Sequence, residues 1–116
     1  MTIQEQIQAL LSAATSASVF PIVATQDADY PHITYQRISS MNENVMAGNG
    51  PPPISNCRMQ IDVWAKTYAQ AQAMSDQVTA AMHGWPVQNV QISSRDLYEP
   101  DVKIYRMSMD YSIWYH

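Results

Sequence analysis

Lysine and arginine are scarce in this chain: six among 116 residues, against ten Asp and Glu, for a formal net charge of −4. That shortage argues against tight phosphate binding or base reading, which draw their affinity from Lys and Arg. Cysteine is scarcer still. Cys57 stands alone, so no intrachain disulfide can form, in keeping with a reducing compartment. No apolar run approaches the roughly 18 residues needed to cross a bilayer. The opening MTIQEQIQALLSAA carries Glu5 and no basic residue, unlike a secretory signal or a transit peptide. Metal-ligand spacing is missing as well: His32, His83 and His116 fall in three separate segments, and Cys57 neighbours none of them. GNGPPP lacks the Lys of a phosphate loop, and its prolines remove the backbone donors such a loop uses. Serines occur without a nucleophile elbow. These absences predict a protein without cofactor, metal or catalytic centre. Apolar residues make up 47% of the chain, enough for one folded domain over 1–116.

What is present is organised around RMQIDVWAKTYAQAQAMSDQVTAAMHGW, from Arg58 to Trp85. Met59, Ile61, Val63 and Ala65 alternate with Arg58, Gln60, Asp62 and Trp64, the period of two of a strand with one face on a core. After Thr67 the period lengthens. Tyr68, Ala71, Met74, Val78, Ala81 and Met82 recur at spacings of three and four, which predicts an amphipathic helix. Thr67 with Gln70 forms a capping-box pattern at its start, and Gly84 and Pro86 close it. Upstream, Ile3, Ile7, Leu10, Leu11 and Ala14 predict a first helix, with Thr2 as its cap and Glu5 as the box partner.

VFPIV (19–23) is apolar, but Pro21 cannot donate to a ladder, so it is expected as an edge segment. A turn is expected at 26–30, and a strand over HITYQRISSM (32–41). The Gly- and Pro-rich 42–53, containing Asn49 and Gly50, is the one long irregular stretch and is expected as a flexible loop between antiparallel neighbours. VQNVQISS (87–94) predicts another strand and RDLYEPD (95–101) a turn. The terminal stretch alternates Tyr105, Met107, Met109, Tyr111, Ile113 and Tyr115 with polar residues, and from 103 to 115 it is either strongly bent or longer than its neighbours. The expected fold is α+β: an antiparallel four-stranded sheet, plus a short edge segment, with two helices packed on one face. Met74, Met82, Met107 and Met109 all fall on core faces, so they are core filling and not a soft-metal site.

Two features stand out from this frame. Trp64 and Trp114 fall on the sheet face away from the helices, among Gln60, Asp62, Arg106, Ser108, Asp110 and Ser112. They are either scattered apolar surface or a contact surface; two tryptophans on one polar face favour a contact. Arg95, Asp96, Glu99 and Asp101 crowd around Tyr98, as a solvated turn or as a docking corner.

The run from Arg58 to Met82, then SSRDLYEPD, then YRMSMDYSIWYH resembles the small tail-completion proteins of long-tailed bacteriophages and prophages. In that family a QIDVWA-like strand leads straight into a YAxAxxLxxxV-like helix. An arginine, a D-x-Y-E-type turn and a terminal strand ending in W-Y or W-H follow. HITYQRISS, with Tyr30, Pro31, Tyr35, Gln36 and Ile38, resembles the family's Y-x-x-Y-Q-x-I strand, and the ALLSA helix and VFPIV segment agree. The 42–53 loop is where the chain departs most, being longer and richer in proline. The resemblance implies a virion structural protein of the tail and head–tail junction, assembled in the bacterial cytoplasm and not an enzyme. It would act as a terminator-like hexameric ring, with tail tube and neck proteins as partners. DNA would pass without specific binding, and no membrane is involved. Trp64, Trp114, Arg95, Asp96, Tyr98 and Glu99, with Asn49 and Gly50 of the loop, are its candidate subunit or partner contacts. Two other classes compete. A small α+β ligand- or metal-binding module would need clustered ligands, which the dispersed histidines do not supply. An oligomeric enzyme would need Asp62, Asp110 and Arg106 as acid, base and anchor, and a solvated charged face explains those more simply.

Overall fold

The structure is a computed structural model that describes residues 3–15, 18–22, 30–43, 54–100 and 103–115. The central pair of strands follows directly from the alternating pattern. Strand β3 (Ile54–Ala65) and strand β5 (Ile104–Tyr115) run antiparallel along their whole length, with Ile61 opposite Met109. Cys57, Met59, Ile61, Val63 and Ala65 of β3 are completely buried, and Met107, Met109, Tyr111 and Ile113 of β5 nearly so. These residues form one face. Helix α1 (Ile3–Ala14) contributes Ile3, Ile7 and Leu11 to the same cluster, and helix α2 (Tyr68–Gly84) contributes Ala71, Met74, Val78 and Met82. The N-cap of α2 is Thr67, whose Oγ1 accepts the Gln70 N–H at 3.1 Å, satisfying one of the donors that a helix start leaves open. Tyr68 and Ala14, expected in the buried stripes, are exposed at the helix ends.

Strand β2 (His32–Glu43) lies antiparallel on the other side of β3, and strand β4 (Asn89–Glu99) antiparallel on the outside of β5. The expected sheet is corrected in one respect. Strand β1 (Ser18–Pro21) is a fifth member, paired parallel to β2, so the sheet is mixed, with the order β1-β2-β3-β5-β4. A strand of four residues is only about 13 Å long, and ten residues separate Pro21 from His32. Pro21 does close an edge strand, as its missing N–H requires.

Three boundaries also move. Strand β2 reaches into the expected loop as far as Glu43, β3 begins at Ile54, directly after that loop and ahead of the expected start at Arg58, and both are as long as β5, at 12 residues each, so β5 does not outrun them. Arg95 to Glu99 is not a turn but the second half of β4. Asp and Glu disfavour strands, but pairing with β5 from Arg95↔Ser108 to Glu99↔Ile104 overrides that preference. Ile38 sits at a bulge between Arg37 and Ser39, where the alternation of facing along β2 is interrupted. The expected turn at 26–30 (all but Tyr30), the cap Thr2, Asn49, Gly50 and Asp101 lie outside the described residues.

Candidate assembly surfaces

The sheet face away from the helices is assembled from alternating residues of four strands. Along its centre the side chains bind each other. Arg106 Nη2 donates to Asp62 Oδ2 at 2.9 Å, Gln60 Nε2 reaches both Asp62 oxygens at 3.1 and 3.0 Å, and Arg106 Nη1 lies 3.6 Å from Glu99. Farther along, Arg58 Nη2 donates to Asp110 Oδ2 at 3.1 Å, and Asn56 Nδ2 donates to Ser112 Oγ at 2.8 Å. Asp62, Ser108 and Thr34 are buried on this face although no helix covers it, because the longer arginine and tryptophan side chains lie across them. The pairing is incomplete: Arg58 Nε, Arg106 Nε, Ser108 Oγ and Asp110 Oδ1 are buried without a hydrogen bond among the described residues.

Trp64 is part of this network. Its indole N–H donates to Thr34 Oγ1 at 3.0 Å, the Arg106 guanidinium lies 4.9 Å from its ring centre, and His32 stacks at 6.1 Å. Trp114 shares the face but not the place. Trp64 is paired with Arg106 and Trp114 with Asn56, so along β3 the two indoles stand about 27 Å apart at 3.4 Å per residue. They are the two ends of a polar strip, not one apolar patch.

The four candidates of the 95–99 segment are divided by the pleat of β4. Arg95 and Glu99, opposite Ser108 and Ile104, belong to the polar face, and Glu99 joins the Arg106 cluster. Asp96 and Tyr98, opposite Met107 and Tyr105, belong to the helix side. There Asp96 Oδ2 accepts the Tyr68 hydroxyl at 2.9 Å, and Tyr98 and Tyr68 both contact the Tyr105 ring, at 4.9 and 5.8 Å between centres. The bond to Asp96 and then its charge raise the Tyr68 hydroxyl above the ordinary tyrosine value. A docking corner built from all four side chains at once is therefore not what this strand presents.

The sequence pattern did not single out two exposed apolar residues of β4. Val90 and Ile92 are 51% and 49% exposed, beside the candidate Tyr98 at 48% on the same strand. Ile92 is the extra residue of the bulge between Gln91 and Ser93 and Val90 lies just before it, so the alternation that would have revealed their facing is broken. An open cleft of about 380 Å³ lies between the end of α2 and the start of β4, lined in part by His83, Trp85, Gln88 and Tyr111. Another, of about 400 Å³, opens at the opposite edge of the sheet between Gln4, Ile22, Tyr35, Gln36 and Arg37. Among the described residues there is no group of three His, Cys, Asp or Glu arranged to hold a metal, and no helix is long and apolar enough to cross a membrane. Cys57 is fully buried and burial raises its thiol pKa, which makes it a poor nucleophile.

A family model described as tail completion protein gp17 matches residues 3–116. No curated protein matches the chain. Among solved structures, a chain from the virion of a native gene transfer agent particle superposes with a TM-score of 0.62 at 12% identity, over 91% of this chain and 84% of the other. At that identity the likeness is one of fold.

Proposed function

The chain belongs to the tail completion protein gp17 family, and from that premise we propose that it closes the head-proximal end of a phage tail as a hexameric ring of identical copies. The family match makes it a structural component of a virion tail, and its extent, from the first turn of α1 to the final strand, is the observation that carries the proposal. The ring presents one surface to the tail tube and another to the neck or connector proteins of the DNA-filled head. A closed ring needs head-to-tail contacts, hence two different patches on each copy. The two unlike edges of the sheet and the two ends of the polar strip, marked by Trp64 and Trp114, supply dissimilar surfaces of this kind. Arg95, Asp96, Tyr98 and Glu99 contribute from both sides of β4. Asn49 and Gly50, in the segment between β2 and β3, are assigned to contact with a neck or tube protein.

An acidic chain also suits a channel that DNA must traverse. Ten carboxylates against six Lys and Arg leave little fixed positive charge to retain phosphates. The cleft beside α2 lacks a cluster of ionised groups and does not favour a catalytic reading.

Deleting the gene from a particle-forming prophage tests the proposal. Electron microscopy is expected to show filled heads and separate tails, with joined particles restored when the chain is supplied in trans. Normal joined particles in the deletion strain would refute it.

A further inference from the structure

Among the described residues strand β4 ends the sheet with its outer edge unpaired along its whole length, and apart from the charges of Arg95, Asp96 and Glu99 and the bulge at Ile92 that edge carries little of the usual protection. It contains no Pro and no Lys within Asn89–Glu99, neither described helix packs on it, and it exposes Val90, Ile92 and Tyr98. The opposite edge is also unfinished. Strand β1 covers β2 only from His32 to Tyr35, and Ile22 N–H donates to the Tyr35 C=O at 2.7 Å, so among the described residues β2 is uncovered from Gln36 onward. The cleft of about 400 Å³ opens at this step, where β1 stops. One molecule thus carries two free strand edges of different character.

We infer that the free edge of β4 pairs antiparallel with the uncovered edge of β2, from Gln36 to Glu43, in a second copy of this chain, so that each ring contact continues the sheet. This rests on the ring reading above and names the contact. Strand direction supports it. In the order β2-β3-β5-β4, successive strands alternate, so β4 runs opposite to β2. Copies related by rotation about an axis along the strands keep their directions, so β4 meets the next β2 antiparallel, as in most of the sheet. The pleat then carries helix side into helix side.

Charge supports it too. Arg37 is exposed on the helix side of the β2 edge, opposite Met59, and makes no ion pair among the described residues. Asp96 lies on the helix side of the β4 edge, and its hydrogen bond is to a neutral hydroxyl. Both backbones point outward. Tyr35 C=O faces β1, which makes Arg37 an outward residue as well. On β4, Gln88 C=O accepts the Trp114 N–H at 2.9 Å, and counting past the bulge leaves Ser94, Asp96 and Tyr98 turned away from β5. Setting Asp96 opposite Arg37 lays 90–97 against 36–43, before allowing for the two bulges, which matches the length of β2 left uncovered.

The test uses the deletion strain complemented with variants. Ser94→Pro removes an outward amide that β5 does not use, so the isolated chain is expected to fold and melt like wild type. Joined particles are expected to disappear. Arg37→Asp and Asp96→Arg are each expected to lower the particle yield about tenfold or more, as like charges are brought together, and the two combined to restore it. Wild-type yield from Ser94→Pro, or a double variant no better than the single ones, would overturn the strand pairing. Should Ser94→Pro fail to fold, the charge exchange decides alone. A deletion strain that needs no complementation would instead remove the tail-completion reading, so the two failures are distinguishable.

Discussion

The middle of the polar sheet face and the outer edge of β4 both carry charged and aromatic residues, yet they stand in opposite relations to the rest of the molecule. In the middle, Asp62, Arg106 and Gln60 find their partners within the chain at 2.9 to 3.1 Å. At the edge, an 11-residue strand shows its backbone and Val90, Ile92 and Tyr98 to the outside. Residue type does not tell the two apart. A tryptophan on a polar face suggests a hot spot until its indole N–H and its ring are both found engaged, whereas a row of unpaired amides is invisible in composition. The comparison implies that substitutions in the middle act on the stability of one copy and substitutions at the edge act on association.

The largest effect expected is a yardstick from the core. Ile61→Ala removes a fully buried side chain between the helices and the sheet and should cost about 3–4 kcal/mol in urea unfolding. Asp62→Ala comes next, at about 2–3 kcal/mol, because it strands a partly buried Arg106 and frees the Gln60 amide. If Asp62→Ala left the unfolding midpoint unchanged but disturbed assembly, the distinction between middle and edge would be lost. Thr67→Ala should cost about 1 kcal/mol through the lost cap of α2.

Ile92→Ser is the counterpart at the edge. It should change the free energy of urea unfolding by less than about 0.5 kcal/mol, since the side chain is half exposed already, while lowering assembly. The smallest effect concerns alkali. Burial raises the hydroxyls of Tyr111 and Tyr35, so the folded chain holds those protons longer than the unfolded one. Stability should therefore be level below the ordinary tyrosine pKa of about 10 and fall as pH rises beyond it. Tyr111→Phe should reduce that fall, which denaturant titrations at rising pH would measure.

Much of this architecture is legible in the residues themselves. The alternation of Met59 to Ala65 and of Tyr105 to Tyr115, and the change of period at Thr67, place the two central strands, the second helix and the core face correctly, because burial on one side imposes a period on the sequence. The same reasoning fails where burial is weak. From Arg95 to Glu99 the strand has no fully buried residue on either side and carries charges that disfavour β-structure, so its turn-like composition hides a pairing supplied by β5. The parallel pairing of β1 was hidden for another reason: direction within a sheet leaves no mark on a four-residue apolar segment. Trp64 and Trp114 were placed on the correct face. Their separation depends on register, which no single strand's pattern contains. The candidates of the 95–99 segment were divided because a strand, unlike a turn, sends neighbours to opposite faces.

The difference between a finished face and an unfinished edge can be read most directly from amide exchange along β4. Hydrogen exchange with mass spectrometry would be recorded on the free chain and on the chain within joined particles. The account predicts that peptides covering Ser94, Asp96 and Tyr98 exchange quickly in the free chain and become protected in the particle, while the buried amides of β3 exchange slowly in both. Equally fast exchange of β4 in both states would show that the edge stays open in the particle and would contradict the account.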